Sequence, residues 1–237
     1  MVPGSLADIR LLAGMADAEI GELERQCLWS TCKAGDQIIG HETEGCDAYF
    51  IVDGEVRVLS HSSTGREVAF ANIGAGGYFG ELAAIDRRAR SANVVAVQDC
   101  LLAAVSPNVF MALVRSHSEI AVRVLQKMVN IVRISDERIM DLSTRGAVER
   151  IYSELLRLAE PDAANPAILS VWPLPTQQDM AANASTTRET VARVLSQLTK
   201  DGIIERKNRA MYIRDSSRLS DLAMGEAETN GSGGAQK

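Results

Sequence analysis

The sequence predicts an α+β chain in which a β-rich front half and a mainly helical back half are joined by one long helix. Three observations predict it. From about Gly35 to Ser106, short β-rich runs alternate with glycine-bearing turns. Residues 116–143 then contain neither Gly nor Pro, and residues 147–214 alternate capped helical runs with short strands. With 237 residues, 46% of them hydrophobic and 24% charged, the chain can fill two modest cores.

Each element has its own signal. Leu6, Ile9, Leu12, Ile20 and Leu23 form an interrupted apolar stripe, so residues 6–30 read as helical. Ala48–Val52 and Val56–Leu59 flank Asp53-Gly54, the chemistry of a tight hairpin turn. Thr64-Gly65 marks a second reversal, and Val94–Val97 and Leu101–Val105 continue the strands toward a sandwich or barrel. In the long helix, Ser116 to Ser143, residues Leu125, Met128, Val132, Ser135, Ile139 and Leu142 recur at alternating spacings of 3 and 4. That is the seam of a two-stranded coiled coil with one polar position, although an ordinary core-packed helix shares the pattern.

Arg145-Gly146 ends that helix, and Ala147 to Leu158 forms the next. Pro161–Pro166 reads as a loop and Ile168–Trp172 as a short strand. Thr176 with Asp179, and Thr186 with Glu189, have the spacing of capping boxes, separated by a turn at Asn183–Thr186. Ile203–Arg206 and Met211–Arg214 flank Lys207-Asn208-Arg209 as a hairpin. This order is that of a winged helix-turn-helix. The organised chain therefore divides into residues 1–115, 116–143 and 144–215, leaving 216–237, rich in Gly, Ser, Asn and Ala toward its end, as a disordered tail.

Charge and cysteine usage exclude several classes. The formal net charge is −6. Residues 1–145 contribute −5 (14 basic, 19 acidic), residues 146–214 contribute +1 (9 and 8), and the rest −2 (2 and 4). A near-neutral back half permits clustered cations but argues against indiscriminate polyanion binding. No stretch approaches the ~18 uncharged apolar residues of a membrane span, and Asp8 and Arg10 interrupt any secretory signal. Cys27, Cys32, Cys46 and Cys100 lie too far apart for a disulfide scaffold. A cytoplasmic protein without membrane contact is expected.

The densest chemistry lies in Tyr78-Phe79-Gly80-Glu81-Leu82-Ala83-Ala84, followed by Arg90-Ser91-Ala92. Gly80 lets a backbone N–H approach a ligand closely, and a helix starting near Glu81 directs its first N–H groups at an anion. Arg90 supplies a charge-assisted fork for a phosphate, and Ser91 a hydroxyl. Glu81 suits a different group, such as a ribose 2′-hydroxyl. The residues alone equally allow Glu81 and Arg90 to form a structural ion pair.

The string FGELA followed by R-S-A resembles the phosphate-binding cassette of cyclic-nucleotide-binding domains. With the long helix and C-terminal pattern, the chain to about residue 215 is similar to the cyclic-AMP receptor protein/fumarate-nitrate reduction regulator (Crp/Fnr) superfamily. The resemblance implies a cyclic-nucleotide-binding β-roll (jelly roll), a dimerisation helix and a DNA-binding winged helix-turn-helix. It implies that Phe79, Gly80, Glu81, Leu82, Ala83, Arg90 and Ser91 line the nucleotide site, with cyclic AMP or cyclic GMP as effector and no metal. One departure is Asp86-Arg87-Arg88-Ala89, which lacks the Gly and Pro common before the arginine. Ser135 and Asp136 fall where the family reads the purine from the dimer helix. A carboxylate accepts from guanine N1–H and N2–H₂ together, so Asp136 keeps cyclic GMP open beside cyclic AMP.

In Thr187-Arg188-Glu189-Thr190-Val191-Ala192-Arg193, the charged side chains share a face opposite Val191, Val194, Leu195 and Leu198. Arginine suits guanine O6 and N7, and glutamate suits cytosine N4. R-E-T-V-x-R resembles the family's recognition helix and implies palindromic sites with TGTGA-like half-sites, read by Arg188, Glu189 and Arg193. Thr176, Thr187, Thr190, Lys207 and Arg209 are candidates for phosphate contact. The resemblance also implies double-stranded DNA, a second copy of the chain and RNA polymerase as partners. The turn carries Ser185 where the family often has Gly. Rival readings are a redox or gas sensor on the same scaffold and a regulator that binds DNA without ligand. No nucleophile elbow, Walker loop, metal-ligand pair or acid/base pair suggests an enzyme.

Overall fold

The computed structural model describes residues 4–61, 67–162, 165–166, 168–207 and 209–225. The chain divides into two compact units, Met1–Arg133 and Ile134–Lys237.

In the first unit the stripe expected as one helix over 6–30 is broken. A 3₁₀ turn at Arg10–Leu12 precedes α1 (Asp17–Gln26), and Leu28–Cys32 is strand β1. Tertiary pairing overrides the local pattern there, because Leu28–Cys32 lies antiparallel against Cys100–Val105. Strands β2 (Gln37–Ile39), β3 (Ala48–Asp53), β4 (Glu55–His61), β5 (Glu67–Gly74) and β6 (Tyr78–Phe79) follow. Then come α2 (Glu81–Asp86), β7 (Asn93–Ala96), β8 (Cys100–Val105), α3 (Pro107–Ser116) and α4 (Ser118–Thr144).

Two antiparallel four-stranded sheets result, in the orders β1-β8-β3-β6 and β2-β7-β4-β5. Asp53-Gly54 is therefore not a hairpin turn. β3 belongs to one sheet and β4 to the other, and the chain crosses between them at Gly54, whose φ is +93°. A Cβ at Gly54 would sit 2.4 Å from the Asp99 carbonyl oxygen, so only glycine fits this corner. β4 and β5 do pair; the expected reversal at Thr64-Gly65 lies outside the described residues.

Strand alternation builds two cores. Ile51 and Leu102 join Ile39, Val56, Phe79 and Val94 in one cluster, drawn from strands of both sheets. Their neighbours Phe50 and Ala103 join a second, with Leu6, Ile9, Leu12, Phe110, Ile120 and Val124 from the helical segments. Helix α3 went unread in the sequence, although Ser106 caps it by accepting from the Val109 N–H and Pro107 occupies its first turn. His117, in extended conformation, separates it from α4.

Only Ile120 and Val124 of α4 are buried. Leu125, Val132 and Ile139 of the expected seam are 64%, 57% and 61% exposed among the described residues.

The second unit adds α5 (Ala147–Leu158), β9 (Glu160–Pro161), β10 (Leu169–Val171), α6 (Gln177–Asn183), α7 (Arg188–Lys200), β11 (Ile204–Lys207), β12 (Ala210–Ile213) and α8 (Ser216–Met224). Its sheet runs β11-β12-β10-β9, antiparallel throughout. Ile151, Leu155, Met180, Val191, Leu195, Leu198, Met211 and Leu219 form its core. α8 corrects the expected disordered tail over 216–237. Asp215 caps it by accepting from the Arg218 N–H, and Leu219 and Ala223 are buried. Residues 226–237 lie outside the described residues. The second capping box is also displaced: Thr187, not Thr186, is the N-cap of α7.

Candidate functional site

β6 delivers buried Phe79, stacked on Tyr49 at 5.0 Å, and Gly80 then turns the chain into α2. Gly80 has φ +81°, and a Cβ there would lie 2.7 Å from the Asp47 carbonyl oxygen and 2.9 Å from Arg90 Nη1. Glycine is thus required both by the turn and by the approach of the Arg90 guanidinium.

Arg90 is 6% exposed. Its Nη1 donates to the carbonyls of Asp47 (2.9 Å) and Gly80 (3.3 Å), and its Cζ lies 5.8 Å from the Tyr49 ring centroid. Among the described residues no carboxylate comes within 4.0 Å of it, and Nε and Nη2 make no hydrogen bond. A buried guanidinium without a counter-ion is costly unless an anion arrives to meet it. The remaining edge of the fork has the geometry for a phosphate.

Glu81 does not pair with Arg90. It is 5% exposed, and its Oε1 lies 3.1 Å from Nζ of Lys127 on α4. The same ammonium donates to the Tyr78 carbonyl at 2.7 Å and stands 3.8 Å from the centre of the Tyr78 ring. Burial holds Lys127 below the usual lysine range, opposed by the attraction of Glu81. The Tyr78 hydroxyl is buried without a partner among the described residues, and burial raises its pKa. Sequence reasoning missed Lys127. Its signal was spacing: Ile120, Val124 and Lys127, separated by 4 and 3, share the inward face of α4.

Of the other expected ligand residues, Ala83 is buried, while Leu82 and Ser91 are exposed. Where the loop lacks Gly, Arg87 itself takes the left-handed conformation (φ +61°) as it closes α2. Its Nη2 donates to Asn108 Oδ1 at 2.8 Å, and the Arg88 N–H donates to Asp86 Oδ1 at 3.0 Å. Side-chain contacts thus support a turn that glycine would make unaided. Ser135 and Asp136 are exposed on the part of α4 that belongs to the second unit.

In that unit Thr176 Oγ1 accepts from the Asp179 N–H (3.1 Å), while Asp179 Oδ2 accepts from the Thr176 N–H (3.3 Å). The turn to α7 places Ser185 at φ +50°. Arg150 braces it, donating to the carbonyls of Ala184 (2.9 Å) and Ser185 (3.1 Å). Thr187 Oγ1 accepts from the Thr190 N–H at 3.2 Å and lies 3.0 Å from Thr190 Oγ1. Arg188, Glu189 and Arg193 are exposed on α7 opposite its buried face, and Glu189 is held below the usual carboxylate range by its own backbone N–H. Lys207 and Arg209 flank the wing turn, whose residue 208 lies outside the described residues. None of Arg188, Arg193, Lys207 or Arg209 forms an ion pair among the described residues.

The cysteines show no matching chemistry. Cys27, Cys32 and Cys100 have thiols raised by burial, Cys27 to about 12. No group of three His, Cys, Asp or Glu among the described residues is arranged to hold a metal, and no described helix is long and apolar enough to cross a membrane.

A two-sheet domain whose buried guanidinium has no carboxylate partner among the described residues, followed by a helix-turn-helix with exposed arginines, fits the class of DNA-binding regulators that carry a ligand-binding domain. Residues 29–117 match the family described as cyclic nucleotide-binding domain, and residues 149–222 match the Crp-like helix-turn-helix domain. The cyclic AMP receptor protein of Thermus thermophilus is 30% identical over 179 residues, covering 76% of this chain and 80% of that protein. The crystal structure of the Thermus thermophilus catabolite activator protein is 28% identical, covering 92% of this chain and 99% of its own, with a TM-score of 0.51. A CooA mutant from Carboxydothermus hydrogenoformans has a TM-score of 0.75 at 18% identity, over 91% and 95% of the two chains, a likeness of fold. The chain belongs to the Crp/Fnr family of transcription regulators.

Proposed function

We propose that this regulator is a cytoplasmic homodimer that binds a cyclic nucleotide, cyclic AMP or cyclic GMP, and in response recognises palindromic DNA with TGTGA-like half-sites. The observation that carries the reading is Arg90, a buried cation beside Gly80 whose neighbours among the described residues are two backbone carbonyls and the Tyr49 ring, with no carboxylate. In this reading Arg90 takes the cyclic phosphate with Ser91, Glu81 accepts from the ribose 2′-hydroxyl, and Phe79, Gly80, Leu82 and Ala83 line the site. Ser135 and Asp136 serve the purine. The relative named for cyclic AMP favours adenine, whereas the Asp136 carboxylate suits guanine.

The uncovered stripe on α4 supports a dimer, since large apolar side chains at heptad spacing gain most by burial against a second copy. Nucleotide binds one arrangement of the paired helices better and shifts the population toward it. The recognition helices then stand about one DNA turn apart. Arg188 and Arg193 read guanines and Glu189 a cytosine. Thr176, Thr187 and Thr190 offer hydroxyls to phosphates, joined by Lys207 and Arg209. Regulation without catalysis, with RNA polymerase as partner, follows from the family's role. Calorimetry with cyclic AMP and cyclic GMP, followed by band shifts on a TGTGA palindrome with and without the bound nucleotide, tests the reading. Binding of neither nucleotide would remove it.

A further inference from the structure

We propose that Lys127 is the positioning residue of the nucleotide pocket: it holds Glu81 in the orientation that reads the sugar hydroxyl. The inference rests on the reading of Glu81 given above and names the group that makes that reading work.

The geometry gives the ammonium three engagements of different kinds. One is Glu81 Oε1 at 3.1 Å, one the Tyr78 carbonyl at 2.7 Å, and the third the face of the Tyr78 ring at 3.8 Å. Two of the three come from Tyr78, so Lys127 keeps its place whether or not Glu81 engages a ligand. Tyr78 is fixed in turn, with its ring 6.4 Å from that of buried Phe110. The ammonium is thus a fixed point against which the carboxylate is set. One oxygen of Glu81 is committed to it and the other is left for a hydroxyl donor.

Without the ammonium, Glu81 would be a carboxylate only 5% exposed with no cation beside it. Such a group swings toward water, which spoils a directional acceptor. The charged groups facing Glu81 and Arg90 at the cassette are accordingly arranged in separate duties. Lys127 neutralises Glu81, which leaves the charge of Arg90 for the ligand.

The test is a double-mutant cycle in the full chain, read by calorimetry with cyclic AMP and with its 2′-deoxy analogue. A hydrogen bond to a charged acceptor is worth roughly ten- to a hundredfold in affinity, so the unmodified protein should prefer cyclic AMP by about that factor. Lys127→Met should shrink the preference below about threefold, and Lys127→Arg should restore part of it. In a Glu81→Gln background, adding Lys127→Met should leave the preference unchanged, because the lysine acts through the carboxylate. This pair also removes both buried charges together, so it tests the idea even if Lys127→Met alone fails to fold. A Lys127→Met protein that loses affinity for both nucleotides equally, with its preference intact, overturns the assignment. Failure of the unmodified protein to bind either nucleotide overturns instead the reading of the pocket itself.

Discussion

Replacing Arg90 by methionine separates what the guanidinium does for the fold from what it does for the ligand. Its Nη1 supports the Asp47 and Gly80 carbonyls. Orphaning a buried acceptor costs about 1–3 kcal/mol, whereas removing an unpaired buried cation returns several kcal/mol of desolvation, about the same size. The two oppose, so the melting temperature of the free protein should move by no more than a few degrees. Ligand affinity has no such compensation. Truncating one partner of a buried charge pair costs about 2–5 kcal/mol, or about thirtyfold to several thousandfold at 1.4 kcal/mol per factor of ten. In a thermal-shift titration, a nucleotide at 100 times its Kd stabilises the unmodified protein by about 2.7 kcal/mol, raising its melting temperature by about 5–11 °C. At the same concentration the variant should gain less than about 1 kcal/mol. A full shift in Arg90→Met, or an equal shift of the unmodified protein by adenosine, which has no phosphate, would refute the argument.

Four further outcomes follow from the same reasoning. Arg188→Ala should cost about 1–3 kcal/mol on a TGTGA palindrome and little on random sequence; equal losses in a band shift would exclude direct readout. Lys207→Ala should weaken both DNAs alike and lower the slope of log affinity against log salt by about 1. Val132→Asp puts a carboxylate into the exposed stripe of α4 and should raise the dimer Kd more than about a hundredfold in sedimentation experiments; an unchanged sedimentation coefficient would place the dimer contact elsewhere. Cys27, with its thiol pushed up to about 12 and bonded to the Leu23 carbonyl, should resist maleimide at neutral pH until the protein is denatured.

Local patterns carried much of this protein in the sequence, and they failed where a distant partner decides. The long helix, the α6–α7 pair, the wing and the glycine turn into α2 were legible because caps, glycine and periodicity act over a few positions. Strand β1 was not, since Leu28–Cys32 is extended only by pairing with residues more than sixty positions away. Gly54 was misread for the same reason. Asp-Gly marks a turn, but whether the chain returns beside itself or crosses to another sheet depends on strands that close later. Helix α8 was hidden by its small polar residues, yet Asp215 as cap, with Leu219 and Ala223 spaced by four, announced it. At the cassette, the pairing of Glu81 and Arg90 could not be decided from spacing. Once Lys127 is seen on the inward face of α4, the carboxylate is accounted for and the guanidinium is not.

That imbalance bears on which nucleotides the pocket would select. Among the described residues, the charged side chains buried at the cassette are Glu81 and Arg90, and Lys127 from α4 neutralises the first. One positive charge remains, on a group whose free edge is planar and bidentate. A cyclic phosphodiester carries a single negative charge and completes this balance. A nucleoside monophosphate or triphosphate brings more charge than one guanidinium neutralises, and such ligands are ordinarily held by several cations or by a divalent metal. On the proposed reading, selection against the larger pool of linear nucleotides therefore comes from charge at Arg90, and selection for ribose comes from Glu81 held by Lys127. Neither contact meets the base. Purine identity must then be read elsewhere, which is why Ser135, the polar position of an otherwise apolar stripe, and its neighbour Asp136 are the place to look for it.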